Sequence, residues 1–454
     1  MFGLKKFRAK DFKMDFLSRS LWVVSLSFIF VTSQLSATHV LTIEAAIEEG
    51  LKQSPEIHRS IARVDESRWN RRAAFGEGFL PRLSVSAHHY FDVQYSTTDI
   101  NFGAAPTTFP GFYPNTAASL DVMIPVFEGF AGYNRLRAAS LIETASEQEL
   151  SRAEFRLSAD IRLAFYEALA ATQLKQVSEL NVKTLEEHLR QVKVQKAGGI
   201  ATNYDSLRVE VQLNEANADA IDTEDNVILA RKKLALLLGV ENDERAIEGT
   251  LPIPDASKVK TLELKDVMPD RADLKALQAR SEAVDKINSA SVSWLMPTIS
   301  VGGQYLFYDK QSVENSTVSN TGIFKNAYNV GVFLKWNIFD GGAAFAKSQA
   351  AAAQAVQAEK TSQIARLQVP FDFAYWKRRY LSNTDHYLSK KFDIARSEEA
   401  MRLAKEEERA GSRTSSERLD AELDLFKARA GVVKAQLNAL EAQTKMELTL
   451  GRKL

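Results

Sequence analysis

The sequence predicts a mainly α protein with a membrane β-barrel portion, assembled from two internal copies of one unit. Three observations lead there. Short motifs recur at one offset, 212 residues: Pro125-Val126-Phe127-Glu128-Gly129 with Asn337-Ile338-Phe339-Asp340-Gly341, Gly199-Ile200-Ala201-Thr202 with Gly411-Ser412-Arg413-Thr414, and Leu236-Leu237-Leu238-Gly239 with Leu448-Thr449-Leu450-Gly451. A fixed offset held across separate motifs marks a repeat. Two stretches, 130–198 and 342–410, carry apolar residues at helical spacing with Pro370 as their one proline; each, if helical, is a rod of about 100 Å. Finally, four short segments alternate apolar and polar residues with period two, and their apolar positions include Tyr and Trp, as in barrel strands with one face toward lipid.

The elements follow in order. Lys5, Lys6, Arg8, Lys10, Lys13 and Arg19 precede the apolar run Leu21 to Val31 and then Ser33, Ser36 and Ala37. A basic region, an apolar core too short to span a bilayer and small residues near a cleavage point predict an export signal over residues 1–37. The first repeat, 41–254, is expected to hold a helix at 43–78, strands at 81–95 and 117–127, and helices at 130–198 and 203–239. The second, 255–454, is expected to hold a helix at 271–295, strands at 297–309 and 328–340, and helices at 342–410 and 414–450. Pro81, Pro125, Gly129, Pro297 and Gly341 are expected at strand–helix junctions, and 96–116 and 309–327, rich in Ser, Thr, Asn, Gly and Pro, as exposed loops. Pro370 should kink or locally unwind its helix.

The strands set a condition on assembly. Ile299, Val301, Gly303, Tyr305 and Phe307 share one face, as do Tyr328, Val330, Val332 and Leu334, with Leu83, Val85 and Ala87 and Leu120, Val122 and Ile124 in the first copy. A sheet in lipid must close to satisfy its edges, and a barrel takes at least eight strands. Four strands per chain therefore require several chains in one barrel. The alternative is a soluble four-stranded sheet packed on helices.

Composition excludes other classes. The 58 Lys+Arg balance 58 Asp+Glu, which gives no positive field for nucleic acid. No cysteine is present, so there is no thiol nucleophile and no Cys-based metal site. The six histidines, His39, His58, His88, His89, His188 and His386, show no metal-ligand spacing. Walker A, nucleophile-elbow and dinucleotide signatures are missing as well. Neither catalysis nor a cofactor is expected.

Chemistry concentrates at the helix turns. Gly198, Gly199 and Gly411 break the long helices at their far ends, where glycine supplies positive φ. Glu417 and Asp420, three apart, share a helix face just past the second turn. Under threefold symmetry each would form a ring of like charge favouring cations, and Arg413 is the nearest candidate partner. The plainer reading is a pair of solvated acids at a helix start, where the macrodipole favours them.

Paired strands joined to very long helices, with Gly411-Ser412-Arg413-Thr414 leading into Glu417, Leu419, Asp420 and Ala421, resemble the TolC-type outer membrane efflux protein family over about residues 41–454. The resemblance implies a homotrimer in the outer membrane of a Gram-negative cell. Each chain would give four strands to one twelve-stranded barrel and helices to a long periplasmic tunnel. It implies as partners a periplasmic adaptor (membrane fusion) protein, an inner-membrane pump or type I secretion ATPase, and outer-membrane lipid. Arg413, Glu417 and Asp420 match the family's positions at the periplasmic gate, and Asp205 occupies by the repeat the place of Glu417. Glu417 stands where the family more often has Asp. Gly198, Gly199, Thr202, Gly411, Ser412 and Thr414 fall at the tips expected to meet the adaptor. The function expected is export by an outer-membrane channel-tunnel; the alternative is a coiled-coil spacer or adaptor of the envelope.

Overall fold

The computed structural model describes residues 40–91, 97–101, 103, 106–110, 116–243, 245–266, 271–308 and 326–454. The export signal expected at 1–37 and most of the loop expected at 309–327 lie outside the described residues.

The helix expected over 43–78 is two helices, α1 (Ile43–Gln53) and α2 (Pro55–Phe79). Ser54 between them is extended, with ψ at 124°. Proline at the first position of α2 disfavours helical geometry in the residue before it, so the break is local and steric. Then come α3 (Ala131–Ala197), α4 (Asn203–Leu238), the short α5 (Ser257–Lys260), α6 (Ala272–Ser291), α7 (Ala343–Arg409) and α8 (Ser415–Leu450). A 3-10 turn over Val292–Leu295 follows α6, where the sequence suggested continued α-helix. α3 and α7 each have 67 residues, and α4 and α8 each have 36. Within each pair the starts differ by the same 212 positions as the motifs.

These lengths make rods of about 100 Å and about 54 Å. α2 and α4 both pack along α3, α8 packs along α7 and against α3, and α6 lies against α3 and α7. α3 thus packs against α2, α4, α6 and α8, and α4 also meets α8. Apolar clusters hold Ile161, Phe165, Leu234 and Leu238 in one place and Leu185, Val192, Val209 and Leu419 in another.

α7 runs unbroken through Pro370, so the expected local unwinding does not occur. The neighbouring packing explains this. Val369 and Phe373 are buried with Val259, Tyr380, Met446 and Leu450 beneath the segment that carries α5. Tyr380 Oη donates to the Asp255 carbonyl at 2.9 Å, and Lys377 Nζ to that of Leu262 at 2.7 Å. An internal proline costs about 3 kcal/mol, and burying two large apolar side chains at about 1.5–3 kcal/mol each offsets it.

The strands are β1 (Arg82–His89), β2 (Thr97–Asn101), β3 (Pro106–Pro110), β4 (Thr116–Glu128), β5 (Thr298–Tyr308) and β6 (Asn326–Lys335). β2 and β3 pair as a hairpin inside the segment expected to be loop. The other four form an antiparallel sheet in the order β1-β4-β5-β6. β6 stops at Lys335, short of the expected 340, because Lys335 already pairs with Thr298, the first residue of β5. Pro125 lies inside β4 and not at a junction; the β4–β5 register slips between Pro125 and Phe127. Proline has no N–H for the ladder, and a bulge accommodates it.

The register puts Leu120, Val122 and Ile124 across from Tyr305, Gly303 and Val301, and these across from Tyr328, Val330 and Val332. That face is apolar from edge to edge, with Val330 and Val85 more than 70% exposed (78% and 73%). The opposite face is polar: Gln304 donates to Asp121 at 2.7 Å, Ser119 to Asp121 at 2.6 Å, and Ser86 and Ser119 bond at 2.8 Å. Among the described residues, the outer strands β1 and β6 each leave one edge without a partner strand.

Sheet and helices join at sharp turns. Gly129 has φ at 60°, and a Cβ there would sit 2.8 Å from the Ser293 carbonyl, so only glycine fits. At the equivalent turn Gly341 has φ at 74°, and Asp340 Oδ2 accepts the Ala344 N–H at 2.9 Å, capping the first turn of α7. Pro81 and Pro297 stand immediately before β1 and β5. Among the described residues no helix is long and apolar enough to cross a membrane.

Candidate functional site: the helix-hairpin tips

The two hairpins, α3–α4 and α7–α8, turn with the same geometry. Gly199 and Gly411 both have φ at 76°, closing the C-terminal ends of α3 and α7. Thr202 and Thr414 are N-caps of α4 and α8, and each forms a capping box with the acid three residues on. Thr202 N–H and hydroxyl both donate to Asp205 Oδ2 at 2.9 and 2.7 Å. Thr414 does the same to Glu417 Oε2, both at 2.9 Å. The structure thus gives Asp205 and Glu417 a definite local task, satisfying helix-start donors.

Those bonds hold both acids below the usual carboxylate range. The hydroxyl and then the backbone N–H of Thr202 act on Asp205; for Glu417 the Thr414 backbone bond comes first and its hydroxyl second. Because both folded values are depressed, the caps are complete above the unfolded values, about 3.9 for Asp and about 4.3 for Glu. They are lost as pH falls through the lowered folded values. Amide exchange in the first turns of α4 and α8 should therefore stay slow through neutral pH and accelerate, beyond the intrinsic trend, only in that acid range. Thr414→Ala should speed exchange at α8 already at neutral pH and leave α4 unchanged. Equal protection in variant and wild type would rule out the cap.

Arg413 and Asp420 are not partners. Arg413 Nε reaches back to Glu407 Oε2 at 2.7 Å, and Asp420 Oδ1 accepts from Arg208 Nη2 at 3.0 Å. Arg208 was not expected, although the repeat contains it: it stands 212 positions before Asp420. Equivalent residues of the two hairpins thus meet, one basic and one acidic, across an exposed face. Arg413, Glu417 and Asp420 also line one cleft of about 480 Å³ between α7 and α8, with Arg396, Ser397, Ala400, Ala421 and Asp424. Gly198, Gly199, Gly411 and Ser412 lie in the turns themselves, and Ile200 beside them is 82% exposed.

Behind the tip lies a cluster that sequence reasoning missed. His188 of α3, Glu408 of α7, and Arg418 and Glu422 of α8 are all buried. Arg418 donates to Glu408 at 2.8 Å, Glu422 at 3.0 Å and the Gln191 side-chain oxygen at 2.7 Å. His188 Nδ1 is 2.8 Å from Glu422 Oε2, and its Nε2 is 3.0 Å from Ser415 Oγ. The i, i+4 spacing of Arg418 and Glu422 was readable as a helix pair. Their burial, and the partners on two other helices, were not.

Comparison with known proteins bears on this arrangement. The sequence profile of the outer membrane efflux protein family matches residues 46–240 and 264–452. The fold is similar to that of the outer-membrane channel OprN, at 19% identity and a TM-score of 0.72 over 90% of this chain and 89% of that one. It is similar to the outer membrane protein VceC of Vibrio cholerae, at 17% and 0.73 over 90% and 96%. CusC, whose transmembrane channel formation has been described structurally, matches at 16% and 0.76 over 90% and 92%. At such identities the likeness establishes the fold. No curated protein matches in sequence.

Proposed function

The chain belongs to the outer membrane efflux protein family, and from that premise we propose how its parts make an export duct. It is an outer-membrane efflux channel that extends into the periplasm, and not an enzyme. The proposal is that three copies join β6 of one to β1 of the next and close a twelve-stranded barrel. Each chain adds its rods to a helical tunnel beneath. The carrying observation is the four-stranded antiparallel sheet, apolar on one exposed face, polar on the other and, among the described residues, unpaired at both edges. An apolar face of that extent needs lipid, and an edge in lipid needs a partner strand. With β1 and β6 running oppositely, the added ladder is antiparallel like the rest. The coiled-coil spacer is not favoured, because it leaves that face without a function.

The tips are the proposed gate. Asp420, Glu417 and, by the repeat, Asp205 place acids at the tunnel mouth. The exposed Arg208–Asp420 pair is the one ion pair joining α4 to α8 among those described. Exposed pairs contribute at most about 1 kcal/mol, which suits a link that must open. Gly198, Gly199, Thr202, Gly411, Ser412 and Thr414 form the surface offered to a periplasmic adaptor, which would connect the duct to an inner-membrane pump or secretion ATPase. Native mass measurement of detergent-extracted protein tests the assembly. Three chains per particle are expected; a monomer that leaves the cell envelope with salt alone would refute it.

A further inference from the structure

We infer that His188 is a proton-responsive positioning residue, which tightens the contact between the two hairpins as pH falls and so biases the tip toward its closed state. The inference deepens the gate reading above and rests on it.

The groups facing His188 are Glu408 from α7 and Arg418 and Glu422 from α8; on its own helix Gln191 bonds to Arg418. α4 meets α3 in the adjoining apolar cluster, through Val209 and Ala216. With a neutral imidazole the cluster carries two carboxylates against one guanidinium, and all four side chains are buried. One unit of negative charge is left uncompensated, which is unfavourable away from water.

Hydrogen bonding tells the same story atom by atom. Glu422 as a carboxylate only accepts, so His188 Nδ1 carries a proton and donates to it. In the neutral ring Nε2 is then the acceptor, taking the Ser415 hydroxyl proton. Glu408 Oε1, buried, has no hydrogen-bond partner among the described residues and lies 3.9 Å from that same Nε2. A proton added at Nε2 converts it to a donor, ends its acceptance from Ser415 and supplies the orphaned oxygen after a small ring movement. The protonated cluster has two positive and two negative groups, and its unpartnered oxygen is served.

The consequence is mechanical. His188 is on α3, Glu408 on α7 and Glu422 on α8, so the proton strengthens a contact that ties the first hairpin to the second. Arg418 and Glu422 flank Asp420 along α8, and holding them fixes where Asp420 points. A proton that gives Glu408 its missing partner only while the two hairpins are in contact stabilises that contact as pH falls.

The test is single-channel recording of the purified trimer in planar bilayers from pH 8 to pH 5.5. Wild type should lose about tenfold in open probability across that range, as uptake of one proton per cluster allows. His188→Gln, which keeps a polar side chain without a titration, should abolish the response. Ser415→Ala should move it to higher pH, because removing the hydroxyl donor disfavours only the neutral ring. A His188→Gln channel with the wild-type profile would overturn the inference, as would a Ser415→Ala profile moved to lower pH. The Glu417→Ala/Asp420→Ala channel separates the two readings. If its selectivity is unchanged, the acidic gate is wrong; if its pH response persists, the latch stands whether or not the ring is the gate.

Discussion

Replacing Arg418 by Met should loosen the tip more than any other single change in the hairpins. The side chain is 1% exposed and holds Glu408, Glu422 and Gln191 together. Removing one partner of a buried ion pair costs about 3–5 kcal/mol, because the charges left behind stay away from water. Here two carboxylates are left. Hydrogen exchange should show the loss of protection at the C-terminal end of α7 and the first turns of α8, with the β-sheet unaffected. Adding Glu408→Gln and Glu422→Gln to Arg418→Met should recover most of it, since a neutral amide is far cheaper to bury than an orphaned carboxylate. Protection unaltered in the single variant would mean the cluster does not hold the hairpins. Failure of the triple to recover would mean that packing of the Arg418 stem, and not charge, is what matters.

The second large effect concerns the sheet. Val330 and Asn329 are neighbours on β6, and alternation puts them on opposite faces, Val330 with Val122 and Val301, Asn329 with the side of Asp121 and Gln304. Val330→Arg places a charge on the face assigned to lipid, at about 2–4 kcal/mol per chain near the bilayer midplane. Every copy in a closed barrel carries that cost. The yield of assembled, membrane-inserted protein should collapse for Val330→Arg and hold for Asn329→Arg. Equal yields would remove the assignment of faces, and with it the argument for a barrel.

Much of this was legible in the sequence, for identifiable reasons. Period-two strands and tip glycines depend on neighbours in sequence and are legible there: Gly199 and Gly411 have positive φ, whereas Gly198, named with them, has φ at −83°. The 212-residue offset recurs in the starts of the long helices. Proline was the least well read. Pro55 breaks a helix that apolar spacing continued across, Pro370 does not, and Pro125 sits in a bulge inside a strand. The difference lies in what packs against each. Val369 and Phe373 anchor α7 on both sides of Pro370, whereas Ser54 takes up an extended backbone ahead of Pro55. At the tip, Asp205 and Glu417 were found as acids, but their capping role depends on the threonine three residues before. Arg208 is reachable through the repeat, 212 positions before Asp420, but not through nearness in sequence, where Arg413 is the closer cation and pairs with Glu407. His188 has no metal-ligand spacing to mark it in the sequence. Its partners come from α7 and α8, more than 200 residues away in sequence, and no local pattern brings them together.

The most direct test of the central claim is conductance of the detergent-purified protein in a planar bilayer, wild type beside Glu417→Ala/Asp420→Ala. A trimeric duct with an acidic mouth predicts discrete, small, cation-selective steps in the wild type, and larger or less selective steps in the variant. A protein that stays soluble without detergent and forms no pore in either version would contradict it.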